Sequence, residues 1–176
     1  MRFVGIDPST KTGLVAVDAY GTILKAKELT GAGSEDPYRM ITLIDEVMSF
    51  MQRGDTICIE GFGFASQQAI QLGGIGWGLR MALTRKGFNY IEASPSQLKK
   101  YASGKGNTPK NQLAVHVYKS FGFEHRSDNV IDAYVLAEIA RCFSIGPERI
   151  TKLKYQHDVI DAIRNPKPKT KKKKKA

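Results

Sequence analysis

The chain has 176 residues, 41% of them hydrophobic, and no apolar run long enough to cross a bilayer, so a single core-bearing domain without a membrane span is expected. The net charge is +10, but residues 165–176 (NPKPKTKKKKKA) carry seven lysines and no acid, which leaves +3 for the rest of the chain. A tail of that composition is expected to be disordered and to be drawn to polyanions, so any specific binding by the remainder must rest on local patches.

The region near Met1 lacks the extended apolar stretch of a signal peptide, and Cys58 and Cys142 lack metal-ligand spacing. Both observations lead us to expect a cytoplasmic protein with two reduced, buried thiols.

In chain order, residues 2–7 and 13–18 read as strands separated by the turn-rich PSTKT. Asp18-Ala19-Tyr20-Gly21 makes a hairpin turn into a third strand at 22–29. Ser34-Glu35-Asp36-Pro37 opens a helix in which Met40, Leu43, Ile44, Val47, Met48 and Met51 recur at helical spacing until Gly54. A short strand follows at 55–60. Residues 65–86 predict a longer helix despite glycines at 73, 74, 76 and 78, which points to close packing against another helix or a second subunit. A strand at 88–93, a short helix from Ser94-Pro95, a glycine-bearing loop at 102–107 and helices at 108–121 and 127–144 complete a domain over residues 1–145. Residues 146–164 form an extension that predicts one amphipathic helix at 148–164, with Ile150, Leu153, His157, Ile160 and Ile163 near one stripe.

Three of these segments carry acids to the carboxyl edge of the α/β sheet that the pattern implies. Asp7 ends the first strand, Glu60 ends the strand at 55–60, and Asp128 and Asp132 share a helix in SDNVIDAYVLAEIA. Ligands of α/β sheets bind outside the carboxyl ends of strands. Clustered carboxylates suit Mg²⁺ or Mn²⁺, and two such ions roughly 3.5–4 Å apart can activate water and neutralise the leaving oxygen of a phosphodiester. In a basic chain this set suggests metal-dependent cutting of a nucleic acid.

The element order is that of the ribonuclease H-like fold, a mixed five-stranded sheet with three antiparallel strands followed by two parallel ones. Within it, GIDPSTKTG, IEGFGF, GKGNTPKNQLAVHV and DNVIDAYVLA resemble, in that order, four motifs of the RuvC-type Holliday junction resolvases, over residues 1–143. The resemblance implies a homodimeric, Mg²⁺- or Mn²⁺-dependent endonuclease that nicks four-way DNA junctions symmetrically. It implies Asp7, Glu60 and Asp132 as metal ligands and Lys110 as the cation near the scissile phosphate. The family places a further Asp three residues before the position of Asp132, where this chain has Asn129; Asp128, four residues before, lies on the same helix face and is the expected substitute. Phe62 or Phe64 corresponds to a base-stacking aromatic, and Arg80, Lys99, Lys100 and Lys105, with Arg85 and Lys86, are candidate backbone contacts. The glycine-rich helix at 65–86 is the expected dimer interface. His116 and His125 lack a nucleophile partner and read as surface or packing residues.

Three other readings remain open on the sequence. A ribonuclease H-like nuclease could act on RNA/DNA hybrid or linear DNA, and a junction-binding protein could keep the fold without cutting. GIDPSTKTG alone also matches the phosphate turn of actin-like ATPases, but the chain is too short for their duplicated domains.

Overall fold

The computed structural model describes residues 1–62 and 68–166. One mixed sheet contains β1 (Arg2–Asp7), β2 (Thr12–Asp18), β3 (Ile23–Leu29), β4 (Thr56–Glu60) and β5 (Tyr90–Ala93), in the order β3-β2-β1-β4-β5. β1 to β3 form an antiparallel meander, and β4 and β5 run parallel to β1. This is the architecture expected from the sequence.

The alternation of side chains along β1 and β4 divides the core in two. Val4, Ile6, Ile57 and Ile59 face α1 (Tyr38–Ser49) and α2 (Ala69–Arg85), which contribute Leu43, Val47, Ile75, Leu79 and Leu83. Phe3 and Cys58 face the other layer, where α5 (Asp128–Ile145) lies against β1, β2 and β4. α3 (Pro95–Ser103), α4 (Lys110–Phe121), α6 (Pro147–Ile150) and α7 (Lys154–Arg164) gather round α5. Both cysteines are buried and unpaired. No helix among the described residues is long and apolar enough to cross a membrane.

Local chemistry sets the helix ends near the site. Ser94 and Gln97 form a reciprocal capping box at the start of α3, with Pro95 in its first turn. α3 stops at Gly104, whose φ of 83° is a left-handed conformation that glycine adopts without strain. Ser127 caps α5 by accepting from the Val130 N–H at 3.4 Å.

Residues 148–164 do not form the single helix that the sequence predicts. The chain breaks at Thr151, which is extended (φ −145°, ψ 152°), and restarts as α7. The His157 ring bonds the Thr151 carbonyl through Nε2 at 2.8 Å, and Gln156 donates to the Tyr101 carbonyl at 3.0 Å, so the buried face is Gln156, Val159 and Ile160 while Leu153 stays exposed. Val159 and Ile160 belong to the same core as α5.

Of the four α2 glycines in the expected close-packing set, Gly73 faces open space, whereas Gly74, Gly76 and Gly78 are met by side chains from outside the helix. A Cβ at Gly74 would touch Met40, and one at Gly78 would lie 2.4 Å from Ile44 Cδ1, both side chains of α1. The tightest approach is elsewhere. A Cβ on Gly5 of β1 would lie 1.9 Å from the Ala133 carbonyl oxygen, and one on Gly13 of β2 would lie 1.9 Å from that of Asn129, so the α5 backbone rests directly on the sheet. Gly5→Ala or Gly13→Ala must push the helix away. Overpacking of this kind costs about 3 kcal/mol or more when rigid backbone is the obstacle, and urea denaturation should report a loss of that order for either variant.

Candidate active site

β1 and β4 end side by side. Ile6 pairs with Ile59 in the parallel ladder, so Asp7 and Glu60 are the next residues on adjacent strands, whose backbones are about 4.8 Å apart. Because Ile6 and Ile59 face α1 and α2, both acids project to the opposite face, toward α5. Asp132 comes down from α5 beside them. Asp7 is 6% exposed and Asp132 9%, and Glu60 is half-buried.

The electrostatics show that the three carboxylates share one environment. Burial, then the charge of Glu60, raises the Asp7 pKa well above the usual carboxylate range. Asp7 and Glu60 stand close enough for a hydrogen bond between the carboxyl groups to contribute, raising Asp7 and lowering Glu60. Burial pushes Glu60 up to about 7; the bond from Asp7 works against that rise and the charge of Asp132 adds to it. Asp132 is likewise pushed up to about 7, by burial first and then by the charge of Asp7, with Asp128 adding a smaller rise. Lys110, the first residue of α4, opposes the rise at all three acids, and Lys99 of α3 opposes it at Glu60 and Asp132.

Asp128 is exposed in the first turn of α5, one turn before Asp132. Asn129 beside it serves a different purpose, because its side-chain amide donates to the Lys11 carbonyl at 2.8 Å and ties α5 to the β1–β2 turn. Ser127 also donates to a Glu28 carboxylate oxygen at the end of β3. Neither tie has a sequence signal, because each joins segments about a hundred residues apart.

The remaining candidates divide. Lys105 is exposed in the turn after α3, and Arg85 and Lys86 are exposed at the end of α2. Lys100 is half-buried and pairs with Asp158 of α7 at 3.5 Å. Phe62 is half-buried, with its ring 5.2 Å from that of Trp77, whereas Phe64 lies outside the described residues, as do residues 63–67 and 167–176. Arg80 corrects the sequence expectation of a surface cation. It is 2% exposed, and its guanidinium is taken up by Glu92, the Gly76 carbonyl and the Glu60 carbonyl, so it does not reach a DNA backbone. His116 is exposed, and the Nδ1 of His125 accepts from the Ser127 N–H at 3.1 Å, consistent with surface and packing roles.

Among the described residues no three side chains enclose a ready ion position. The donor set nevertheless suits a hard divalent cation, because it is oxygen-only and its ionised forms are poorly compensated where they stand.

The chain has a RuvC-type, ribonuclease H-like fold. It is similar to a Thermus thermophilus RuvC structure with a TM-score of 0.68 and 22% identity, over 83% of this chain and 97% of that one. It is similar also to T. thermophilus RuvC in complex with Holliday junction substrate, with a TM-score of 0.62 and 21% identity, over 78% and 90% of the two chains. No family model matches the chain, and a comparison with curated proteins finds no match.

The raised pKa values set a pH dependence. In the metal-free protein the folded state holds protons on Glu60 and Asp132 up to about pH 7, whereas the unfolded chain releases them near pH 4 to 4.5, so stability falls as pH rises through that window. Asp132→Asn should therefore raise the melting temperature at pH 7.5, by the equivalent of roughly 1–3 kcal/mol, and should bring no gain at pH 4. Calorimetry at the two pH values checks this, and an equal gain at both would rule out the charge explanation.

Proposed function

We propose that this chain is a metal-dependent, structure-selective DNA endonuclease that resolves four-way junctions by hydrolysing two phosphodiesters symmetrically. The observation that carries the reading is the meeting of Asp7, Glu60 and Asp132 on the α5 side of the sheet, opposed by Lys110 and Lys99. The fold likeness to a RuvC seen with a Holliday junction supports branched DNA as the substrate class.

Asp7, Glu60 and Asp132 would hold Mg²⁺ or Mn²⁺, two ions per site, with Asp128 as the fourth carboxylate. Ions bound there supply activation of the attacking water and neutralisation of the leaving oxygen. The protein's own groups do the rest. Both raised carboxyl groups must be ionised to act as ligands, and Lys110, with Lys99 at Glu60, favours that state. Lys110 is exposed at the start of α4, where its ammonium can approach a phosphate and stabilise charge that develops on it. Phe62 or Phe64 would stack on an unpaired base, with Lys99, Lys100 and Lys105 lining the backbone.

A pseudo-two-fold junction calls for a two-fold dimer that sets equivalent sites on opposing strands. α2 carries the surface for it. Trp77 is 58% exposed and Met81 50%, one turn apart on the face that α1 leaves uncovered. The protein would work in the cytoplasm, where its two thiols stay reduced.

The reading is tested with matched four-way, three-way, linear duplex and RNA/DNA hybrid substrates in Mg²⁺, Mn²⁺ or chelator. Paired nicks in the four-way junction that depend on the ion are expected. Asp7→Asn and Glu60→Gln should abolish cleavage, while junction affinity in a gel-shift assay stays within about threefold of wild type, since each removes a ligand charge with little change of shape. Full nicking by either variant overturns the assignment.

Asp128 is read by comparison with Asp132. If it is the fourth ligand, Asp128→Asn should lose single-turnover cleavage as severely as Asp132→Asn, with part of the loss recovered in Mn²⁺, which binds such sites more tightly than Mg²⁺. Near-normal Mg²⁺ cleavage by Asp128→Asn beside an inactive Asp132→Asn reduces the site to three carboxylates.

A further inference from the structure

Arg80 is a buried cation in a helix whose neighbouring turns are apolar, and the cleavage chemistry makes no use of it. A buried guanidinium must be fully partnered, so its partners define what it does. Nε donates to Glu92 Oε1 at 2.6 Å, one terminal nitrogen donates to the Gly76 carbonyl of the same helix at 2.9 Å, and the other donates to the main-chain carbonyl of Glu60 at 2.9 Å. Its Cζ lies over Phe62, 4.2 Å from the ring centre. Phe62 is pressed so close to α2 that a Cβ at Gly76 would lie 2.7 Å from its Cε1. The Gly61 N–H, between the two residues that Arg80 holds, donates to the Ala93 carbonyl at 2.8 Å and joins this segment to β5.

Resting on the nuclease reading, we propose that Arg80 is the positioning residue of the site: one guanidinium fixes the main chain of Glu60 and the ring of Phe62 as a unit. The carboxylate and the aromatic thereby keep a constant spacing, referred to α2 through Gly76 and to β5 through Glu92. Only a planar fork of donors can do this. A lysine could keep the pair with Glu92, but a point ammonium on a flexible stem cannot reach both carbonyls and also stand over the ring. The bland alternative is a residue that merely stabilises the α2 packing. That role would lower the melting temperature without touching metal dependence.

Arg80→Lys and Arg80→Ala in the full chain separate the two. Single-turnover junction cleavage should fall on the order of 10- to 100-fold in both, the loss that a misplaced reacting group produces, and the half-saturating Mg²⁺ concentration should rise. Added guanidinium ion should restore part of the activity of Arg80→Ala and none of that of Glu60→Gln. Independently of activity, amide exchange at Gly61 and Phe62 should accelerate while Val4 to Ile6 stay protected, and the emission of Trp77, the chain's one tryptophan, should shift as Phe62 loses its place. A folded Arg80→Lys with wild-type rate, metal requirement and exchange overturns the proposal, and so does a rate loss that follows melting temperature alone without guanidinium rescue. If Arg80→Ala does not fold, Arg80→Lys gives the same readouts apart from the rescue. A wild-type chain that cuts no junction counts against the nuclease reading only, and exchange at Gly61 with Trp77 emission then decides the positioning claim.

Discussion

The contact on which the site depends is the one between the backbone of α5 and the two glycines beneath it. Helices normally rest on a sheet through side chains that hold them at a distance. Here the Ala133 and Asn129 carbonyls occupy the space where a Cβ of Gly5 or Gly13 would stand. That depth brings Asp132 down to the level of the β1 and β4 ends, so that its charge and those of Asp7 and Glu60 act on one another. The core and the site therefore have the same origin. The apolar packing of Val130, Ala133, Leu136 and Ala137 holds the helix in place, and the same burial strips water from the carboxylates.

Desolvation without full pairing is what distinguishes these acids from the other buried charges of the protein. Glu138 is also buried, but Arg141 meets it with short bonds and the pair is closed. At the site the cations stand farther out, Lys110 exposed and Lys99 half-buried, and they oppose the rise of the carboxylate pKa values without cancelling it. A structural ion pair would be satisfied by its partner. An open arrangement of this kind is satisfied only by protons or by an added cation, and that sets it apart chemically from a packing feature.

Much of this is readable from the sequence, because strand ends announce themselves. An apolar run closing on Asp7-Pro8 and another closing on Glu60-Gly61 place the acids, and the run that begins at Val130 places Asp132 on a helix face. Gly74, Gly76 and Gly78 of α2 are legible as a sign of close approach, Gly73 is not, and what fills the three, Met40, Phe62 and Ile44, is set by tertiary packing. Arg80 departs from the sequence expectation for a physical reason. An arginine in a helix is most often exposed, and its burial depends on room made by Gly76 and a partner on a different strand, Glu92. The break between α6 and α7 is equally invisible. Thr151-Lys152-Leu153 contains no glycine or proline, and the restart is fixed by bonds from His157 and Gln156 that only the folded chain supplies.

The acid at 128 follows from what position 129 is already doing. The Asn129 amide donates to the Lys11 carbonyl, a bond that an ionised aspartate cannot make, because it would set a carboxylate against a carbonyl oxygen. The tie between α5 and the β1–β2 turn runs beside Gly13, one of the two points of closest approach, so a carboxylate at 129 would loosen the contact that positions Asp132. Asp128 carries no such burden. The cap of α5 is supplied by Ser127, and the charge of Asp128 already acts on Asp132 from one turn away. A fourth acid on this helix is therefore compatible with its seating at 128 and not at 129.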